Sequence, residues 1–372
     1  MTERPAHNPP AAPAPVKSIL YLAPTFLADR RDKQIRGVQV FDLQFIRDLI
    51  AIGHRVTVPA DATWRPRFAE HLGPEIASAR LTIGPCGRFR KPLWNGLWAA
   101  AGIKGRYDVA FLGNPVRGMV PPIDLMLRRA VFSKLVLQAN RAPRSAVVPA
   151  LRRWPITLTA VSKLVKDNFP ADLQARVAIE YGIVNWREFV PSARQTGEAT
   201  GAGHDDGLVH TCVLGALDNA WKGADLAIEA YTRLPDALRA KARLHLASYA
   251  RKPANLPTGV FAHDWMPATA MPAFMRTMDI MAVPSTDNET FSQAMVQGML
   301  AGLPCITSWL PVLTEKLDAG GGVSFADVGE FAQHWATLIQ SPSLRHRMGA
   351  AARQTALERY CWDSAGFVDR YF

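Results

Sequence analysis

Glu289 and Gln297 are the residues whose types and spacing point most directly to chemistry in this chain. They lie in IMAVPSTDNETFSQAMVQGMLAGLPCITS, residues 280–308, which reads as strand, polar loop, helix and strand with Glu289 at the loop tip. The apolar run Ile280 to Val283 ends at Pro284, and the loop 285–288 delivers Glu289 just before a helix of about three turns. Gly302 and Pro304 close that helix, as a C-terminal glycine followed by proline should. The amides of Thr290, Phe291 and Ser292 are expected to point out of the helix start, where the dipole favours phosphate. Eight residues of helix separate Glu289 from Gln297 by roughly 12 Å, about the reach from a sugar past a diphosphate to a ribose. Taken alone, the same residues also suit a solvated loop acid and a surface glutamine in an ordinary α/β unit.

Pro284, Ser285, Glu289, Gln297, Ala301, Gly302 and Pro304 resemble the donor-site motif of glycosyltransferase family 4, retaining enzymes of the GT-B fold. That pattern is P-S, an acid, seven residues, a second acid, then a small-residue helix ending A-x-G-x-P; here Gln297 replaces the second acid. The resemblance extends from near residue 18 to the end. It implies two Rossmann-like β/α/β domains facing a central cleft, with a C-terminal helix crossing back to the first domain.

The elements that must position these residues follow the same plan. Ser18 to Pro24, Arg55 to Val58, Val109 to Leu112, Lys134 to Leu137 and Thr157 to Val161 read as strands, with a helix over 39–52. Gln195 to Gly207, rich in glycine, threonine and acids, reads as a linker. After it the β/α alternation restarts with VHTCVLGA, a helix from Ala224 to Arg233, ARLHLASY and VFAHDWM. The expected organisation is a Pro/Ala-rich tail over 1–17, an acceptor and membrane-facing domain over 18–194, the linker over 195–207, a donor domain over 208–352 and a crossing helix over 353–372.

The resemblance assigns roles to individual residues. Glu289 would hold the transferring sugar, Lys222 and the Thr290, Phe291 and Ser292 amides the diphosphate, and Gln297 the ribose. The family's basic pair is V-G-R-L followed by K-G; this chain keeps Lys222-Gly223 but has Ala216 where the arginine belongs. Arg251 or Lys252 is a candidate substitute, or a surface basic pair. Gly37 resembles the glycine that lets first-domain backbone approach the donor phosphate, or is a turn glycine. Asn140 stands where the family often has a histidine facing the sugar; it and Asn114 are candidates for acceptor contacts, Asn114 equally for a turn. His54 reads as structural, and His263 and Asp264 as shaping either the base pocket or the core. No metal or other cofactor is expected, because lysine, arginine and helix amides suffice to neutralise the departing diphosphate.

Composition narrows the setting. With 48% apolar and 20% charged residues the chain is of the soluble globular type, and no apolar run approaches the ~20 residues needed to span a bilayer. The first seventeen residues lack the apolar core of a signal peptide. Cys86, Cys212, Cys305 and Cys361 are too isolated for a disulfide framework or zinc knuckle, which fits a reducing cytoplasm. The formal net charge is +11, and the stretch 83–166 alone carries fifteen Lys or Arg against two acids, Asp108 and Asp124. Arg88, Arg90 and Lys91 beside Trp94 and Trp98, and Arg128 to Arg153 beyond, suit an anionic membrane surface. No nucleic-acid module accompanies the charge, so nucleic acid is not the expected partner; a generally basic surface is the plain alternative.

The expected function is therefore retaining transfer of a hexose from a nucleotide-diphosphate sugar to a lipid-linked or membrane-surface saccharide acceptor, in surface polysaccharide or glycolipid synthesis. The expected location is the cytoplasm, peripherally associated with the inner face of the cytoplasmic membrane. The departures at Ala216, Asn140 and Gln297 favour a second reading, a GT-B-shaped partner or scaffold with little catalysis. A sugar-nucleotide epimerase of the same fold is a third.

Overall fold

The computed structural model describes residues 15–27, 37–60, 64–73, 81–84, 92–114, 117–183, 185–192, 195, 206–249 and 251–372. Two parallel sheets dominate them. The first contains β1 (Ser18–Leu22), β2 (Arg55–Pro59), β3 (Leu81–Gly84), β4 (Tyr107–Gly113), β5 (Phe132–Ala139), β6 (Ile156–Ala160) and β7 (Val177–Ile179), in the order β3-β2-β1-β4-β5-β6-β7. The second contains β8 (Val209–Leu214), β9 (Ala242–Tyr249), β10 (Val260–Asp264), β11 (Ile280–Val283), β12 (Cys305–Ser308) and β13 (Gly322–Phe325), in the order β10-β9-β8-β11-β12-β13. These are the two Rossmann-like domains of a GT-B fold.

Parallel strands with helices on both faces are buried on both sides, so they appear as unbroken apolar runs. The central strands obey this: all of β8 and β11 is buried, and β1 is buried from Ile19 to Leu22. In both sheets the C-terminal strand ends open toward the cleft, the usual place for a ligand in open α/β sheets. The strand β7 has three residues, and β10 is shorter than the stretch VFAHDWM suggests. The edge strands β3 and β13 were not anticipated; LTIG and GVSF are four residues each and only partly buried.

The C-terminal helix Ser364–Tyr371 does cross back to the first domain. Trp362 and Phe367 enter the aromatic cluster of Phe41, Phe45 and Phe111. The crossing is tied by Ser364 Oγ donating to Asp48 at 2.5 Å and by Arg370 and Tyr371 binding Glu180 at 3.0 and 2.6 Å. A second apolar cluster runs without interruption from Leu112, Leu137 and Val161 of the first domain to Met281, Met295 and Leu300 of the second.

Of the basic region, Arg88, Arg90 and Lys91 lie outside the described residues, as does most of the 195–207 linker. Several remaining cations serve the fold itself. Arg152 and Arg153 pair with Asp172 and Asp124, and Arg129 donates to the carbonyls of Ala100, Ala101 and Ile103 at the end of helix Pro92–Gly102. Trp94 and Trp98, one turn apart on that helix, are 53% and 58% exposed. No helix among the described residues is long and apolar enough to cross a membrane. The described cysteines, Cys212, Cys305 and Cys361, are free thiols.

Candidate functional site

A cavity of about 400 Å³ opens between the two domains. From the first domain it is lined by Gly37, Val38, Val40 and Phe41 of helix Gly37–Ile52, by Asn140 and Arg141 after β5, and by Val161 after β6. From the second come Leu214 to Ala216 after β8, Trp221 and Lys222, Ser248 on β9, Trp265 and Met266 after β10, and the stretch 289–294 with Gln297. Seven of the residues put forward from sequence, Glu289, Lys222, Gln297, Thr290, Phe291, Ser292 and Gly37, therefore share one cavity with Asn140.

Glu289 is not at an exposed loop tip but is 8% exposed. Its Oε1 accepts from Ser285 Oγ at 2.9 Å and forms an ion pair with Lys222 Nζ, which also lies 4.5 Å from the centre of the Trp221 ring. The pairing depends on Gly223. At φ 73° it is in the left-handed region, and a Cβ there would stand 2.1 Å from the Pro284 carbonyl oxygen. Only glycine lets the Lys222 turn pack so closely on the loop after β11. Thr286 completes the junction by donating its N–H to the Trp221 carbonyl at 2.8 Å.

The helix after Glu289 is shorter and starts later than the sequence suggests: it covers Gln293–Leu300. Ser292 adopts φ 59°, ψ 73° and Asn288 φ 55°, so the backbone cannot be helical between them. Thr290, Phe291 and Ser292 therefore form the loop that enters the helix, and the uncommitted first-turn amides belong to Gln293 and the residues after it. The 12 Å helical rise from Glu289 to Gln297 accordingly does not apply. The helix end is as expected: Gly302 and Leu303 donate back to Met299 and Gly298 at 2.9 and 3.0 Å, satisfying the last carbonyls.

Ser292 is the unusual group of this loop. It is 5% exposed, it holds a left-handed conformation rare for serine, and its Oγ is buried with no hydrogen-bond partner. A left-handed non-glycine residue costs roughly 1–2 kcal/mol and an orphaned buried hydroxyl about 1–3 kcal/mol, a combination found where a ligand supplies the missing bond. Beneath Phe291 lies a second unforeseen group. Lys316 is fully buried, donates to the Val312 carbonyl at 2.5 Å and to Glu315 at 3.1 Å, and stands 5.0 and 5.2 Å from the Phe291 and Tyr360 ring centres. Burial pushes its ammonium pKa down, with Glu315 opposing.

Arg251 and Asn114 are not among the lining residues. Arg251 is exposed on the turn after β9, where its N–H donates to Asp218 at 3.2 Å, and neighbouring Lys252 pairs with Asp264 at 2.9 Å. Asn114 caps β4 at φ 48°, donating its N–H to the Gln138 carbonyl at 3.2 Å, which is the turn role. His263 is part of a row of stacked histidines: its Nε2 lies 3.0 Å from His245 Nδ1, and His245 Nε2 lies 2.9 Å from His210 Nδ1. His54 is buried and takes the Lys17 N–H at 3.2 Å, a structural position.

Sequence reasoning groups Arg141 with the membrane-facing basic residues and assigns none of Arg141, Trp221 and Trp265 to the site. The available signals were slight: Trp221 adjoins Lys222, Arg141 follows Asn140, and Trp265 follows a strand end.

Residues 209–341 match the family model described as glycosyl transferases group 1. The crystal structure of Anabaena HepE in complex with UDP-glucose aligns with TM-score 0.68 at 16% identity, over 95% of this chain and 98% of that one. Sucrose-phosphate synthase from Thermosynechococcus elongatus aligns with TM-score 0.70 at 13% identity, over 96% and 98%. WaaG, a glycosyltransferase involved in lipopolysaccharide biosynthesis, aligns with TM-score 0.61 at 14% identity, over 95% and 99%. At these identities the alignments establish the shared GT-B fold. No curated protein matches by sequence.

Proposed function

We propose, for a glycosyltransferase whose second domain belongs to glycosyl transferases group 1, transfer of a hexose with retention from a nucleotide-diphosphate sugar to a saccharide acceptor at a membrane surface. The observation that carries the reading is the Lys222–Glu289 pair on the wall of an interdomain cavity that also holds the Gln293–Leu300 helix start.

In this reading the diphosphate lies over the first turn of that helix, where free amides, the Ser292 hydroxyl and Lys222 Nζ meet its charge. Glu289 receives hydroxyls of the hexose, and Gln297, whose side chain makes no hydrogen bond among the described residues, faces the ribose. As the bond from the anomeric carbon to the diphosphate oxygen breaks, the acceptor oxygen bonds to the same carbon from the same face. Among the described lining residues Glu289 is the one carboxylate, it is engaged with Lys222, and none is a histidine. The acceptor's proton therefore passes to the departing phosphate oxygen.

The acceptor enters between Asn140 and the start of helix Gly37–Ile52. The exposed Trp94 and Trp98, with the excess of Lys and Arg over 83–166, support a membrane-surface origin for it, and the fold shared with WaaG is consistent with a lipid-borne saccharide.

The reading is tested by calorimetric titration with UDP- and GDP-hexoses, followed by transfer assays with the bound donor and membrane lipid extracts. Donor binding with labelled sugar recovered in lipid supports it. Failure to bind any nucleotide sugar would favour a scaffold role instead. Sedimentation with anionic vesicles tests the membrane contact separately, and Trp94→Ala/Trp98→Ala is expected to lower the bound fraction.

A further inference from the structure

Among the described residues, three charged side chains line the interdomain cavity, Arg141, Lys222 and Glu289. Two of them cancel, because Lys222 and Glu289 are paired with each other. Among the described lining residues Arg141 is therefore the uncancelled charge. Its side chain makes no hydrogen bond or ion pair among the described residues, in contrast to Arg129, Arg152 and Arg153 of the same domain. Arg106, Arg117, Arg128 and Arg144 also make none, but of these unpaired arginines only Arg141 is among the described residues that line the cavity.

The opposite wall lacks a cation at a corresponding point. Ala216, between Gly215 and Leu217 in the turn after β8, lines the cavity with a methyl group, so the second domain offers a phosphate one lysine, already shared with a carboxylate. A nucleoside diphosphate carries at least two negative charges. A guanidinium meets paired phosphate oxygens with two parallel N–H bonds, which an ammonium cannot do.

We propose that Arg141 is the second cation of the diphosphate site, delivered from the first domain across the cleft. The inference rests on the nucleotide-sugar reading above and adds to it that the donor is held from both domains at once. Donor binding then draws the two walls together, with Arg141 on the phosphates from one side and Lys222 from the other. The nucleotide is thus a requirement for an assembled acceptor site, since Asn140 is the residue immediately before Arg141.

The experiment is calorimetric titration of the full chain with UDP and with GDP, comparing wild type with Arg141→Ala and Arg141→Lys. Arg141→Ala is expected to weaken the nucleotide that wild type binds by roughly tenfold to a hundredfold, the loss of a hydrogen-bonded charge contact. Arg141→Lys, which keeps the charge and loses the fork, is expected to fall between the two. The melting temperature of both variants is expected to match wild type, because the side chain has no protein partner to lose; Lys also serves as the folded comparison should Ala destabilise the chain. Nucleotide affinity within twofold of wild type in both variants overturns the inference while leaving the nucleotide-sugar reading intact, and assigns Arg141 to the acceptor. A wild type that binds neither UDP nor GDP overturns that reading and the inference with it.

Discussion

Lys222 and Glu289, 67 residues apart in sequence, meet as an ion pair whose side chains are 15% and 6% exposed, with Ser285 Oγ bonded to the same carboxylate oxygen. Removing one partner of such a pair leaves the other charge buried without compensation, which costs more than the intact pair contributes. Lys222→Ala is expected to destabilise the second domain by roughly 2–4 kcal/mol. Adding Glu289→Gln should recover part of that loss, since the amide is neutral and still accepts from Ser285. Both single variants and the double are expected to lose transfer by at least about a hundredfold, because each lacks a group placed on the reacting donor. Thermal melts and transfer assays on the three proteins check the point; a double variant less stable than Lys222→Ala would show that the carboxylate is not strained by the loss of its partner.

Ser292 separates stability from function. Its hydroxyl is buried and unpartnered, so Ser292→Ala should leave the melting temperature unchanged or slightly raised. If the hydroxyl bonds the phosphate, the same change weakens nucleotide binding roughly tenfold. Ser292→Gly would add relief of the φ 59° backbone and be the more stable of the two. Equal nucleotide affinity in wild type and both variants would remove Ser292 from the site.

These two residues also mark where the sequence is readable and where it is not. The central strands of both sheets are legible because a parallel strand buried on both faces leaves an unbroken apolar run, as in Ile280–Val283. LTIG and GVSF escaped notice because edge strands of four residues carry little of that signal. Glu289 and Lys222 were identifiable by motif, but the burial of Glu289 was not, since it follows from a turn 67 residues away and from the backbone freedom of Gly223. The helix start was misplaced for a related reason: nothing in the string NETFSQ announces a left-handed serine, which tertiary packing imposes. Arg141 shows the remaining limit, because one cation among fifteen in a stretch acquires meaning only when the fold places it on the cavity wall.

Gln297 lines the cavity on the exposed side of helix Gln293–Leu300, one turn beyond its first residue. A neutral amide offers a ribose hydroxyl an ordinary hydrogen bond, whereas a carboxylate accepts both ribose protons with charge assistance. Gln297→Glu is therefore expected to tighten binding of UDP or GDP by about threefold to thirtyfold, with no gain for inorganic diphosphate, which has no ribose. Calorimetry with the nucleotide and with diphosphate checks it; a gain for both ligands, or for neither, counts against a ribose contact.

Asp42 ties the pH dependence of the fold to the wall of the cleft. It lies in the helix Gly37–Ile52, whose first turn lines the cavity; it is 2% exposed, and its Oδ1 accepts from the buried Tyr21 hydroxyl at 2.8 Å. Burial raises its carboxyl pKa from 3.8 to about 7, with the Tyr21 hydrogen bond opposing the shift. The folded protein thus holds this proton more tightly than the unfolded chain does. The group's contribution to stability is greatest below the unfolded value of 3.8, declines as pH rises, and levels off above about 7. The span amounts to roughly 4 kcal/mol at most. Asp42→Asn cannot ionise and still offers Tyr21 an acceptor, so it should melt several degrees above wild type at pH 8 and by less than half that margin at pH 5. Melting curves of the two proteins at pH 5, 6.5 and 8 decide the matter, since a difference that does not change with pH would mean that Asp42 is charged throughout and that its burial is compensated by a partner other than Tyr21.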